Sequence, residues 1–264
     1  MKRLFNACLV FMTILSASCT DRLDNDVTTD TLTDVTFAID VETASLTRAI
    51  SDGTGATQLM WAIFSEDGEL LVKKSVINDA DALISEQGYT LSTKLTKGQT
   101  YKATFWAQNQ NCTAYAVSDD MKVTVDYNGI NNDESRDAFY ATSDVFSVNS
   151  PSIVTVTLRR PFAQVNVGAN EWDVEYAKEA GMEVKTSSAT VKAVPNCINL
   201  FDGSLEGAVD VVYTASAKPE EYLTVDVDRN GEDEVDDWMS MSYSLAPQDG
   251  GQYAMSFSFA GEDG

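Results

Sequence analysis

The sequence predicts an all-β protein: two β-sandwich domains in tandem, with short helical insertions. Three observations predict it. Short runs of alternating apolar and polar residues recur through most of the chain. Gly- and Asp-containing turn signals separate them, and no long helical periodicity intervenes. Near the middle, residues 154–158 form one strand pattern, and Phe162, Val165 and Val167 begin another beyond Arg160 and Pro161. Proline offers no amide hydrogen to a central ladder and pushes the preceding residue towards extended geometry, so Arg160 and Pro161 mark the expected domain junction.

Taken in order, residues 1–18 read as a secretory leader. Lys2 and Arg3 precede an apolar run over 4–15, which is too short to span a bilayer. Residues 19–34 are polar and acidic, a solvated tether. The first domain is expected over 35–159. Its strands fall at 35–41, 58–64, 70–76, 90–95, 101–108, 138–146 and 153–158, with a hairpin turn at Asp67-Gly68 and another turn over 96–100. Residues 79–86 read as a short helix or loop. Trp61, Phe105, Trp106, Tyr140 and Phe146 are the expected core aromatics. The second domain is expected over 160–264. After the apolar run begun at Phe162 it has a short helix over 171–180, capped by Asn170 and stopped by Gly181. Strands follow near 189–193, 209–215, 222–227, 238–245 and 253–259. The chain reaches Gly264 directly after the last of these, so this domain is expected to lack its final strand.

Composition removes several functional classes. The chain of 264 residues carries 41 acidic and 18 basic residues, a net charge of -23. Such a surface repels nucleic acid and anionic membrane. There is no histidine, so Ser-His-Asp and Cys-His catalysis and His-based zinc sites are excluded, and an enzyme is not expected. Of the four cysteines, Cys112 and Cys197 stand one in each domain with no C-x-x-C spacing. They read as unpaired small hydrophobes.

One loop has metal-like spacing. Asp226, Asp228, Asn230, Glu232 and Asp237 stand where a calcium loop places its oxygen ligands, and Gly231 supplies the tight turn. Asp237 replaces the usual glutamate, and the flanks read as strands rather than the helices of an EF-hand. The competing reading is an acidic hairpin turn. Ca²⁺ is the one candidate cofactor.

The stretch Leu158-Arg-Arg-Pro-Phe-Ala-Gln-Val-Asn-Val167, with residues 58–64 and 238–245, resembles the fimbrillin-like (type V pilin, Mfa-like) lipoproteins of Bacteroidales. That resemblance implies two transthyretin-like Greek-key sandwiches and a structural or accessory role in surface fimbriae. The partners it implies are other fimbrial subunits. Leu15-Ser-Ala-Ser-Cys19 resembles a bacterial lipobox, with Ser16 where a leucine is usual, which makes Cys19 the lipidation site and the outer membrane the location. In fimbrillins an arginine-specific protease removes the first strand; here Arg48, beside a Gly- and Thr-rich stretch, and Ala49 match that place. Their C-terminal segment donates a strand to a neighbour; no such segment is seen after residue 259 in this sequence, so the expectation is either that the chain is truncated or that this protein does not donate a strand. The alternative function is a surface glycan-binding lipoprotein.

Overall fold

A computed structural model describes residues 31–42, 53–78, 88–219, 237–248 and 250–261. The described residues are mostly β, with one α-helix. The first half supplies β1 (Leu32–Val41), β2 (Gln58–Ser65), β3 (Leu70–Ile77), β4 (Tyr89–Thr96) and β5 (Gln99–Gln108). It continues with β6 (Tyr115–Val117), β7 (Lys122–Val125), β8 (Gly129–Ile130), β9 (Ala138–Thr142), β10 (Phe146–Val148) and β11 (Ser152–Leu158). The second half supplies β12 (Phe162–Ala169), helix α1 (Glu171–Glu179), β13 (Thr186–Val194), β14 (Cys197–Asn199), β15 (Leu205–Glu206), β16 (Val209–Ala217), β17 (Asp237–Leu245) and β18 (Met255–Ala260).

Local chemistry places many of these ends. Asn170 accepts a hydrogen bond from the Asp173 amide at 2.9 Å and caps α1; Gly181, at φ +71°, follows its end. Between β2 and β3 the Gly68 amide bonds Ser65 O, and Gly68 adopts φ +88°, the conformation the Asp-Gly signal demands. Pro161 lies between β11 and β12, which join different sheets.

The sheets surround two hydrophobic clusters. The first cluster is covered on one side by β11-β1-β4 and on the other by β10-β5-β2-β3, with β9 also on β5. The turn between β4 and β5 therefore carries the chain from one sheet to the facing one rather than closing a hairpin. Tyr101 fixes that arch: its hydroxyl accepts from the Thr96 amide and donates to Thr96 O, both at 3.1 Å.

The second cluster is lined by β18-β13-β16-β8, β15-β14-β7-β6 and the pair β12-β17. Its membership does not follow position in the sequence. Residues 112–127 pack here, and so do Met60, Ala62, Phe64 and Trp106, which alternate with first-cluster residues along β2 and β5. Sheet β10-β5-β2-β3 is thus covered on both faces, which explains why residues 59–64 are apolar without alternation. The expected core aromatics divide accordingly: Trp61, Phe105 and Phe146 face the first cluster, Trp106 and Tyr140 the second. Strands β6, β7, β8, β14 and β15 are short additions beyond those expected from the sequence. The strand expected over 222–227 lies outside the described residues.

Candidate functional site

The strongest site is the slot that β1 fills. Along β1, apolar and polar residues alternate, and Val35, Phe37 and Ile39 turn into the first cluster at 0–1 % exposure. Phe37 meets Phe105 and Phe146 edge-on, with ring centroids at 5.2 and 5.8 Å. On the outer face, Thr36 and Ser92 hydroxyls bond at 3.0 Å, and Asp34 pairs with Lys94 at 2.8 Å in solvent.

Both long edges of β1 are paired, with strands distant in sequence. It runs antiparallel to β4, with Phe37 opposite Leu91, and parallel to β11, with Phe37 opposite Val154. Without β1, two rows of backbone donors and acceptors would face each other across an apolar floor. Burying three side chains such as Val35, Phe37 and Ile39 is worth on the order of 5–9 kcal/mol, comparable to the whole stability of a domain. At one end of the slot, Gly88 adopts φ +65°; a Cβ there would lie 2.3 Å from Asp40 Oδ1, so the chain turns tightly against the end of β1. At the Leu32 end a depression of about 520 Å³ opens between the β4 and β3 edges, lined by Leu32, Leu71, Val72, Leu95 and Tyr101.

The other expected site residues distribute as follows. Cys19, Arg48, Ala49, Asp226, Asp228, Asn230 and Glu232 lie outside the described residues. Asp237 begins β17, is buried, and forms an ion pair with Lys218. No group of metal-ligating side chains occurs among the described residues. At the expected junction, Arg160 grips Asp137 with two hydrogen bonds of 2.7 Å and lies over the Phe139 ring, while Pro161 O accepts from the Ala246 amide at 3.0 Å. Cys112 and Cys197 are free thiols, and burial raises the pKa of Cys112. No helix among the described residues is long and apolar enough to cross a membrane.

The family model for DUF6562, a family of unknown function, matches residues 27–264. The chain belongs to DUF6562. No curated protein matches it. This DUF6562 protein shares its fold with several solved structures. One is the fimbrial anchor protein Mfa2 from Porphyromonas gingivalis, at 14% identity and TM-score 0.52, covering 86% of this chain and 78% of that one. Another is a candidate polysaccharide-binding protein (DUF1812) from Bacteroides thetaiotaomicron, at 14% identity and TM-score 0.53, covering 86% and 76%. A third is a candidate adhesin from the same organism, at 12% identity and TM-score 0.53, covering 87% and 76%. This all-β DUF6562 chain therefore shares its overall fold with a fimbrial anchor. The strand that fills the slot is legible from its alternation, but nothing local signals that β4 and β11 flank it.

Proposed function

We propose that this chain is a non-enzymatic structural or accessory subunit of surface fimbriae, exported as a lipoprotein through Cys19 and assembled by strand exchange at the β1 slot. The observation that carries this reading is the placement of β1. It is the first strand of the described residues, held centrally between two strands distant in sequence, with an alternating apolar face that another extended segment of the same pattern would replace. The fold shared with a fimbrial anchor supports it. Cutting after Arg48 would release β1 and open the slot.

Limited trypsin-like digestion should yield a stable core beginning at Ala49, and only that core should accept a donor peptide with apolar residues at alternate positions. Arg48→Ala should block both. Polymerisation by Arg48→Ala, with β1 attached, would overturn the reading. Cys19→Ala should abolish fatty-acid labelling and membrane retention. Ca²⁺ in the 226–237 loop is a further part of this reading; equal melting temperatures in millimolar Ca²⁺ and in EDTA would reduce that loop to an acidic turn.

A second reading, surface glycan binding, has one observation in its favour. Trp172 and Tyr176 stand one helical turn apart on α1, 68% and 65% exposed, where sugar rings could stack. Saturable polysaccharide binding abolished by Trp172→Ala with Tyr176→Ala would favour it over the first.

A further inference from the structure

Strand β18 lies at the edge of the sheet β18-β13-β16-β8 and, among the described residues, pairs only with β13. Its direction of hydrogen bonding is fixed by two bonds: the Lys192 amide donates to Ala254 O at 3.0 Å and the Lys185 amide to Ala260 O at 2.8 Å. Backbone groups alternate sides along an antiparallel strand. Ala254, Ser256, Ser258 and Ala260 therefore point theirs at β13, and Met255, Phe257 and Phe259 point theirs at the open edge. The side chains alternate on the perpendicular axis. Ser256 and Ser258 are exposed on the outer face; Met255 and Phe257 are half-buried beside the second cluster, and Phe259 on that same side remains 41% exposed.

Among the described residues nothing covers this edge, and its own residues carry none of the usual protection. Edge strands β3 and β4 carry Lys73, Lys74 and Lys94. Residues 251–261, in contrast, contain no charge in a chain of net charge -23. Two copies of so acidic a chain repel one another almost everywhere, and this stretch is a place where they do not.

The sequence of β18 is also self-complementary. Set antiparallel to itself across a two-fold axis at Phe257, it places Met255 opposite Phe259 of the second copy and Ser256 opposite Ser258 of the second copy. Every apolar side chain then meets an apolar one, every serine meets a serine, and the backbone groups that face outward are the ones that pair. The register that matches side chains is the same register that matches hydrogen bonds.

We propose that β18 is a homodimerisation edge: two copies join antiparallel through β18, centred on Phe257, and make one continuous sheet of the two β18-β13-β16-β8 sheets. The β1 slot plays no part in this contact, so the proposal is independent of strand exchange.

Sedimentation of the purified full chain should show a concentration-dependent monomer–dimer equilibrium. Ser256→Asp with Ser258→Asp places carboxylates in directly opposed pairs on an already exposed face and should give a monomer. Ser256→Lys with Ser258→Lys should do the same, and mixing the two variants should restore a dimer, now mixed. In wild type, hydrogen exchange at the Met255, Phe257 and Phe259 amides should slow as concentration rises, while Ser256 and Ser258 stay protected throughout. A dimer that survives both charge pairs, or charge variants that fail to recombine, would overturn the proposal. So would a monomer whose Phe257 amide is already protected, since its edge would be covered from within its own chain.

Discussion

The two clusters are made from the same kind of strand and differ in what they hide. The first is close to dry: Val35, Phe37, Ile39, Leu59, Ile63, Phe105, Phe139 and Leu158 fill it, and Tyr101 spends its hydroxyl on one adjacent turn. The second is threaded with polar groups. Tyr115, Tyr127, Tyr213 and Tyr243 are buried in it. Asn131 donates to the Ser187 and Ser240 hydroxyls at 3.0 and 2.7 Å and accepts from that of Ser242 at 2.6 Å, joining β13 to β17. Asn132, at φ +57°, pairs with β17 as a strand residue would: its side-chain oxygen accepts from the Met241 amide at 2.7 Å and its own amide donates to Met241 O. Apolar contacts alone hold strands in many arrangements, whereas a satisfied polar network allows one. The first cluster is thus the one whose strand could be exchanged without leaving buried polar groups unpaired, and the second is the one tied to a single arrangement.

Alkali should separate the two most sharply. Burial raises the pKa values of Tyr115 and Tyr127, and that of Tyr213 to about 12. In the unfolded chain all three ionise near the ordinary value of about 10, so between these values the folded state holds more protons. Stability present below that unfolded value is lost as pH rises towards the folded values, at about 1.4 kcal/mol per pH unit for each tyrosine. Near-ultraviolet absorbance should show these phenols ionising together with the loss of the second cluster. Early ionisation of all three in a folded protein would erase the contrast.

Phe37→Ala should cost about 3–5 kcal/mol through the cavity left in the first cluster. A donor peptide with an aromatic residue in register should recover part of the loss in chemical denaturation. Arg160→Ala should cost a similar ~3–5 kcal/mol, because it removes the guanidinium that pairs with the buried Asp137 carboxylate; Arg160→Ala with Asp137→Ala should cost less than Arg160→Ala alone, which a double-mutant cycle would read. Asn131→Ala should cost about 1–3 kcal/mol by leaving the Ser187, Ser240 and Ser242 hydroxyls short of partners. Its effect should appear in amide exchange of β17 and leave β1 unchanged. Asn170→Ala should cost about 1 kcal/mol at the exposed α1, the smallest effect and neutral to either cluster.

Elements that depend on neighbours in sequence are legible from the residues themselves. The alternation of Val35, Phe37 and Ile39 marks a half-buried strand, Asp67-Gly68 a hairpin, and Asn170 with Gly181 the two ends of a helix, and each stands at its expected place. The short strands β6, β7, β14 and β15 are not legible, because two to four residues carry too little periodicity to register. Nothing local marks the loop asparagines 131 and 132; their role needs serines more than fifty residues away.

The sequence by itself determined the class of protein, the positions of most strands, the break at Pro161 and the absence of histidine chemistry, since each follows from residue type or from spacing within a few residues. Tertiary structure alone decided that β1 lies parallel to β11, that one sheet is covered on both faces, that residues 112–127 pack with the second half of the chain, and that β18 is an edge strand among the described residues. A strand's pattern states which face it will bury; it does not state which strand will lie beside it, because backbone hydrogen bonds are the same for every partner and only the packing of the whole chain chooses among them.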